Sequence, residues 1–192
     1  MVTIDRRRRI VGARIGRIRA ERGWSLSELA RQAGIGKGSL SEIEAGQRNP
    51  TLDTLYAVAG PLGVPLTALL GEESGLEGSG DHLRAHLLHV EHHTDGSTTE
   101  VFWLIVLPGG IRTSPAHGQD VIEHILVVDG ELTAGRVGEE QHAGPGESIR
   151  WESDVSHTYD SGSAPASAVL TIRTPGTSAA SEPTVPERTS PP

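Results

Sequence analysis

His117, Gln119 and Glu123 stand two and four residues apart in one stretch, and His157 follows in a later one. In an extended chain the side chains alternate between two faces, so the first three are expected to share a face, continued by Ile125 and Val127. His157 would close the set from a neighbouring strand. Two imidazoles, a carboxylate and an amide oxygen can hold a divalent transition ion such as Zn²⁺, Mn²⁺, Fe²⁺ or Ni²⁺, with glutamine the weak, neutral member. The same four side chains could instead form a hydrogen-bonded polar cluster lining a metal-free effector pocket. Trp151 and Tyr159 flank these positions and, with Ile125 and Val127, are candidate ligand-pocket residues; core packing is the alternative. His124 should point outward. With no cysteine in the chain, thiolate metal sites, disulfides and thiol redox switches are excluded.

The elements that would position such a site change character along the chain. Residues 10–70 carry apolar side chains at helical spacing: Val11, Ile15 and Ile18, then Leu26, Leu29 and Ala30, then Leu40 and Ile43, then Leu52, Leu55, Tyr56 and Val58. Gly23 ends the first helix. Ser25 stands three residues before Glu28, a capping-box spacing, and Trp24 should staple the first two helices. Ala33, Gly34, Ile35 and Gly36 form a tight turn that sets two helices at a steep angle. The third helix is expected over residues 37–45, with Gly36 as N-cap and Gly46 as stop. Thr51 opens a fourth, which Pro61 ends or kinks, and residues 66–70 make a fifth turn. Such geometry lays one helix across phosphates while the next enters the major groove.

Ile18, Arg19, Ala20, Glu21, Arg22 and Gly23, then Leu26, Ser27, Glu28, Leu29 and Ala30, then Gly34 and Ile35, then residues 40–46, then Asn49, Pro50 and Thr51 fall at a known family's spacings. The segment resembles the helix-turn-helix domain of the xenobiotic-response-element-like regulators, relatives of phage repressors. The resemblance implies that Lys37, Gly38, Ser39, Ser41 and Glu42 form the groove-facing side of the third helix. It places Arg31, Arg48 and Asn49 on phosphates, with Ser25 and Ser27 also in the DNA-binding set. Arg6, Arg7, Arg8 and Arg9 precede the first helix; such a stretch is a flexible basic arm that tracks DNA, or a solvated terminus.

From His82 onward the period shortens. Residues 99–107 read as a buried strand, with Trp103 packed in the interior. Residues 121–128 and 131–135 read as a hairpin across Asp129 and Gly130, and residues 148–151, 157–159 and 166–173 complete seven or eight strands. Residues 82–93 hold His82, His86, His89, His92 and His93; as a helix they would stack His82, His86, His89 and His93 on one face that could bind metal, but the Asp95–Gly96 turn and the strand after it favour a strand, with the histidines on a rim or dimer edge. His117, Gln119, Glu123 and Gly130, followed by Gly146 and His157, resemble the two motifs of the cupin family, with Gln119 where a second histidine is usual and Glu152 and Asp154 where proline and glycine are usual. The resemblance implies a small β-barrel that holds a metal or a small molecule.

Composition supports a split chain. The net charge is −8, yet residues 1–70 hold 11 Lys and Arg against 6 Asp and Glu, and residues 71–192 hold 6 against 19. A basic head on an acidic body is the footprint of a protein that touches phosphate through one domain. The expected fold class is α+β multidomain: a basic arm (1–9), an all-α five-helix helix-turn-helix domain (10–71), a glycine-rich linker (72–80), a cupin-type β-barrel sensor (81–174) and a disordered tail (175–192). The expected function is transcription regulation by a cytoplasmic, nucleoid-associated homodimer on an inverted-repeat operator, tuned by a small-molecule effector or metal. The alternative is a non-haem metal-dependent, epoxidase-like enzyme. No apolar run approaches the roughly 20 residues that span a bilayer, and the N-terminus lacks a secretory core.

Overall fold

Local signals set the helices. In the computed structural model, which describes residues 2–71, 77–80 and 82–176, these are α1 (Val2–Glu21), α2 (Leu26–Gln32), α3 (Lys37–Glu44), α4 (Leu52–Leu62) and α5 (Leu66–Leu70). Ser25 Oγ accepts from the Glu28 amide at 3.1 Å and Thr51 Oγ1 from the Thr54 amide at 3.2 Å, so α2 and α4 begin at side-chain caps. Gly36 caps α3 with no side-chain bond. Pro61 lies inside α4, which ends two residues later at Gly63 in the left-handed conformation; the glycine, not the proline, is the stop. α1 begins at Val2, so the four arginines belong to a helix rather than to a flexible arm.

Ile15, Leu29, Leu40, Ile43, Val58, Leu62 and Leu69 are the most deeply buried apolar side chains of the helical domain. α1 crosses α3 so closely that a Cβ on Gly12 would lie 2.1 Å from the Ile43 carbonyl oxygen. Beside that crossing Arg19 donates to both Glu44 oxygens at 2.7 and 2.8 Å, fastening α3 to α1.

The second domain has ten strands among the described residues. They are β1 (Glu77–Gly80), β2 (Leu83–His92), β3 (Thr98–Val106), β4 (Arg112–Ser114), β5 (Ile122–Asp129), β6 (Leu132–Arg136), β7 (Gln141–Ala143), β8 (Ser148–Glu152), β9 (His157–Asp160) and β10 (Ala166–Thr174). Instead of a closed barrel they form two antiparallel sheets, ordered β1-β2-β3-β10-β5-β8 and β4-β9-β6-β7, in a cupin-like arrangement. β2 and β3 are the hairpin expected around Gly96.

Other expectations are corrected. β5 and β6 are not a hairpin: β5 pairs with β10 and β8, and β6 with β7 and β9, so the turn at Gly130 carries the chain from one sheet to the other. Part of the expected linker is β1, paired with β2; residues 72–76, and the expected tail from 177 on, lie outside the described residues. Trp103 is on the outer, half-buried face of β3, because Phe102 and Leu104 take the inner one.

Candidate functional site

Three of the four side chains singled out at the inner face meet. Glu123 lies on β5 with Ile125 and Val127 on the same inner face, all fully buried. Trp151 stands opposite Glu123 on β8, so it shares that face. His157 comes from β9 in the facing sheet, and His117 from the loop before β5. Glu123 Oε1 is 2.9 Å from His117 Nδ1 and 3.1 Å from His157 Nε2, and one ligand atom from each residue lies within 4.8 Å of the others. His124 is exposed, as expected.

Gln119 does not join them. It sits in a turn and is exposed, because residues 115–121 are not a strand and alternation does not hold there. The group that completes the cluster is Tyr159, whose hydroxyl donates to Glu123 Oε2 at 2.5 Å. Tyr159, a candidate ligand-pocket residue by sequence, has a buried ring and a hydroxyl held well above its ordinary pKa, chiefly by burial and then by the Glu123 charge.

The electrostatics favour a cation. Burial alone would raise the Glu123 carboxyl, but the His157 and His117 imidazoles and the Tyr159 hydroxyl overcome this and hold it at about 2. Burial pushes the His157 imidazolium below its usual pKa despite that carboxylate. His157 Nδ1 lies 3.2 Å from the Val155 carbonyl, which can only accept, so in the neutral ring Nε2 carries a lone pair towards Glu123 Oε1. Two acceptors this close repel unless a proton or a metal cation lies between them. Both His117 ring nitrogens, Glu123 Oε1 and His157 Nε2 are buried without a hydrogen-bond partner. This donor set fits a divalent transition ion.

The helical domain closes over the centre. The Tyr56 ring, on α4, stacks on His117 at 3.9 Å with an interplanar angle of 10°. A Cβ on Gly60 would meet the His117 carbonyl oxygen at 3.1 Å, so α4 approaches the loop backbone there. Asp53, on the same helix, pairs through both carboxylate oxygens with the guanidinium of Arg112 on β4. Glu100, on β3, accepts from the Thr67 amide of α5 at 2.7 Å. Sequence reasoning missed all of these except Tyr56, which it placed in the helical core; Asp53 and Arg112 are 59 residues apart and no local periodicity links them.

In the head, α3 turns Lys37, Gly38, Ser41 and Glu42 outward while Leu40 and Ile43 face the core. Ser25, Ser27, Arg31, Arg48 and Asn49 are also exposed. Ser39 is half-buried and its hydroxyl accepts from Arg48 at 3.0 Å. Arg31 pairs with Glu28 at 2.6 Å.

Residues 15–69 match the helix-turn-helix family HTH_3 and residues 102–172 the cupin domain family Cupin_2. The HTH-type transcriptional regulator SutR of Escherichia coli (strain K12) is 31% identical over 157 residues, spanning 80% of this chain and 88% of SutR. The chain belongs to the HTH-type transcriptional regulators. The crystal structure of an HTH_3 family transcriptional regulator from Vibrio cholerae aligns with this HTH-type regulator at a TM-score of 0.77 and 25% identity, covering 90% of this chain and 99% of that one. The immunity repressor protein of Bacillus phage phi105 is 45% identical over 64 residues, 33% of this chain and 44% of the repressor. These likenesses favour the regulator over the epoxidase-like alternative, and the cupin domain fits a sensor.

Proposed function

We propose that this HTH-type regulator reads an inverted-repeat operator as a homodimer and that its cupin domain adjusts operator affinity through a bound metal or small molecule. The observation that carries the reading is the exposed face of α3, where a cation and a carboxylate, Lys37 and Glu42, project beside Gly38 and Ser41 from a helix fixed by Leu40 and Ile43. Lys37 donates to guanine and Glu42 accepts from cytosine; Ser39 orients Arg48, and Arg31, Arg48, Asn49, Ser25 and Ser27 meet phosphates.

His117, Glu123 and His157 hold the metal, with Tyr159 fixing the carboxylate and Trp151, Ile125 and Val127 lining the inner face beside it. A divalent ion there supplies a Lewis-acidic anchor for an oxygen-bearing effector. Leu126 and Val128 project from the outer face of β5 at 42% and 45% exposure and form the dimer contact. Among the described residues no helix is long and apolar enough to cross a membrane, and the protein works on DNA in the cytoplasm, at the nucleoid.

Selection of bound fragments from genomic DNA, with and without added Zn²⁺ or Mn²⁺, tests this. The expected product is a two-fold symmetric site with half-site centres about one helical turn apart. Recovery of unrelated sequences in proportion to their abundance would refute it.

A further inference from the structure

We propose that Arg112 is a carboxylate-binding subsite of the sensor domain, and that Asp53 of the head fills it in place of an effector's carboxylate. This rests on the sensor reading of the cupin domain and adds to it the ligand class and the event that the ligand triggers.

Register locates the guanidinium. On the β4–β9 ladder Arg112 stands opposite Tyr159 and Ser114 opposite His157. Opposed residues of an antiparallel pair project to the same face, and all four are buried. Arg112 therefore belongs to the face that carries His157 and Tyr159, beside the Glu123 centre. Its two terminal nitrogens engage the two Asp53 oxygens, while its Nε is buried without a hydrogen-bond partner.

The pair is asymmetric. The Arg112 side chain is 5% exposed and that of Asp53 42%. On separation Asp53 rehydrates readily, whereas the guanidinium, on the β4 face that carries His157 and Tyr159, loses the partner of both its terminal nitrogens, which is unfavourable. Asp53 thus leaves readily only when another anion takes its place. The planar fork of a guanidinium selects a bidentate oxyanion, and the carboxylate already held there defines the shape.

The consequence reaches the head through one helix. Asp53 and Tyr56 are three residues apart on α4 and share the side that faces the cupin domain, one on Arg112 and the other on His117. α4 follows the reading helix α3 after a short turn. A small carboxylate on Arg112, with its remaining atoms towards His117 and His157, removes the ionic half of the α4 contact and releases the head from the sensor domain.

The test uses the full chain with Asp53→Ala, and acetate as the probe. Against sodium chloride at equal ionic strength, acetate should raise the Tm of the variant with the logarithm of its concentration, by on the order of 3 °C for each tenfold excess over its dissociation constant. Acetamide, the same shape without charge, should have no effect, and wild type should respond far less because Asp53 competes. Equal shifts in acetate and chloride, or in variant and wild type, would overturn the subsite. Mass mapping of histidine carbethoxylation gives a second measurement on wild type: His117 should become several-fold more reactive in concentrated acetate than in chloride, and unchanged reactivity would overturn the release of α4. Operator binding measured in the same buffers separates the two readings. A subsite that fills without changing operator affinity stands as a binding site and refutes the sensor role.

Discussion

The exposed face of α3 and the buried centre handle polar side chains in opposite ways. On α3, Lys37, Ser41 and Glu42 are exposed to water, with Glu42 3.7 Å from the Arg48 guanidinium. In the cupin domain His117, Glu123 and His157 are removed from water and depend on one another and on Tyr159. An exposed reader can be altered without disturbing the fold. The buried cluster cannot lose Glu123 without leaving the Tyr159 hydroxyl unpartnered.

Glu123→Ala tests the buried side of this contrast most severely. It removes the acceptor of the Tyr159 hydroxyl and the carboxylate facing both imidazoles. Binding of Zn²⁺ in a titration should vanish, and stability in thermal unfolding should fall by about 1–3 kcal/mol. Zn²⁺ bound at wild-type affinity would show that the ion sits elsewhere. Next in size is the proposed dimer face on β5. Leu126→Glu combined with Val128→Lys should give a monomer by sedimentation and weaken operator binding on the order of 100-fold, because a single head makes too few base contacts. A dimer of unchanged affinity would move the interface to another surface.

The exposed side should respond differently. Glu42→Ala should change base preference at one position by about 1–3 kcal/mol, whereas Arg48→Ala should weaken all sequences alike. Unfolding curves should hardly move for either. If Arg48→Ala alters preference and Glu42→Ala does not, α3 lies in the groove the other way round.

The smallest effect concerns the seam between the two regions. Burial raises the Glu100 carboxyl, and the Thr67 amide opposes this only in part. The folded state therefore binds that proton more tightly than the unfolded chain. The contribution of Glu100 is fully present below the ordinary carboxylate pKa of 4.5 and is lost as pH rises through the raised value. Glu100→Gln keeps an oxygen for the Thr67 amide and has no charge, so it should flatten this part of the stability profile. A profile unchanged by the substitution would show that Glu100 does not titrate there.

The head was legible because its signals are local. Ser25 and Thr51 cap helices three residues on, Leu40 and Ile43 mark one face of a single turn, and each judgement needs only neighbours within four residues. The cupin domain was legible as strands but not as pairings. Residues 121–128 and 131–135 look like a hairpin because a turn joins them, yet both edges of β5 pair with β10 and β8, which leaves none for β6. Gln119 was placed inward by extending strand alternation into a loop, where it fails.

The sequence by itself determined the order of the helices, the outward face of α3, the positions of most strands, and the chemical types of His117, Glu123 and His157. These follow from backbone propensity and side-chain periodicity, which act over a few residues. Only the tertiary structure decided that Tyr159 rather than Gln119 completes the centre, that Arg19 fastens α3 through Glu44, and that Asp53 and Tyr56 seat the head on Arg112 and His117. Those contacts join residues tens of positions apart, and which of them form depends on how whole faces bury against each other, a quantity no short window of sequence contains.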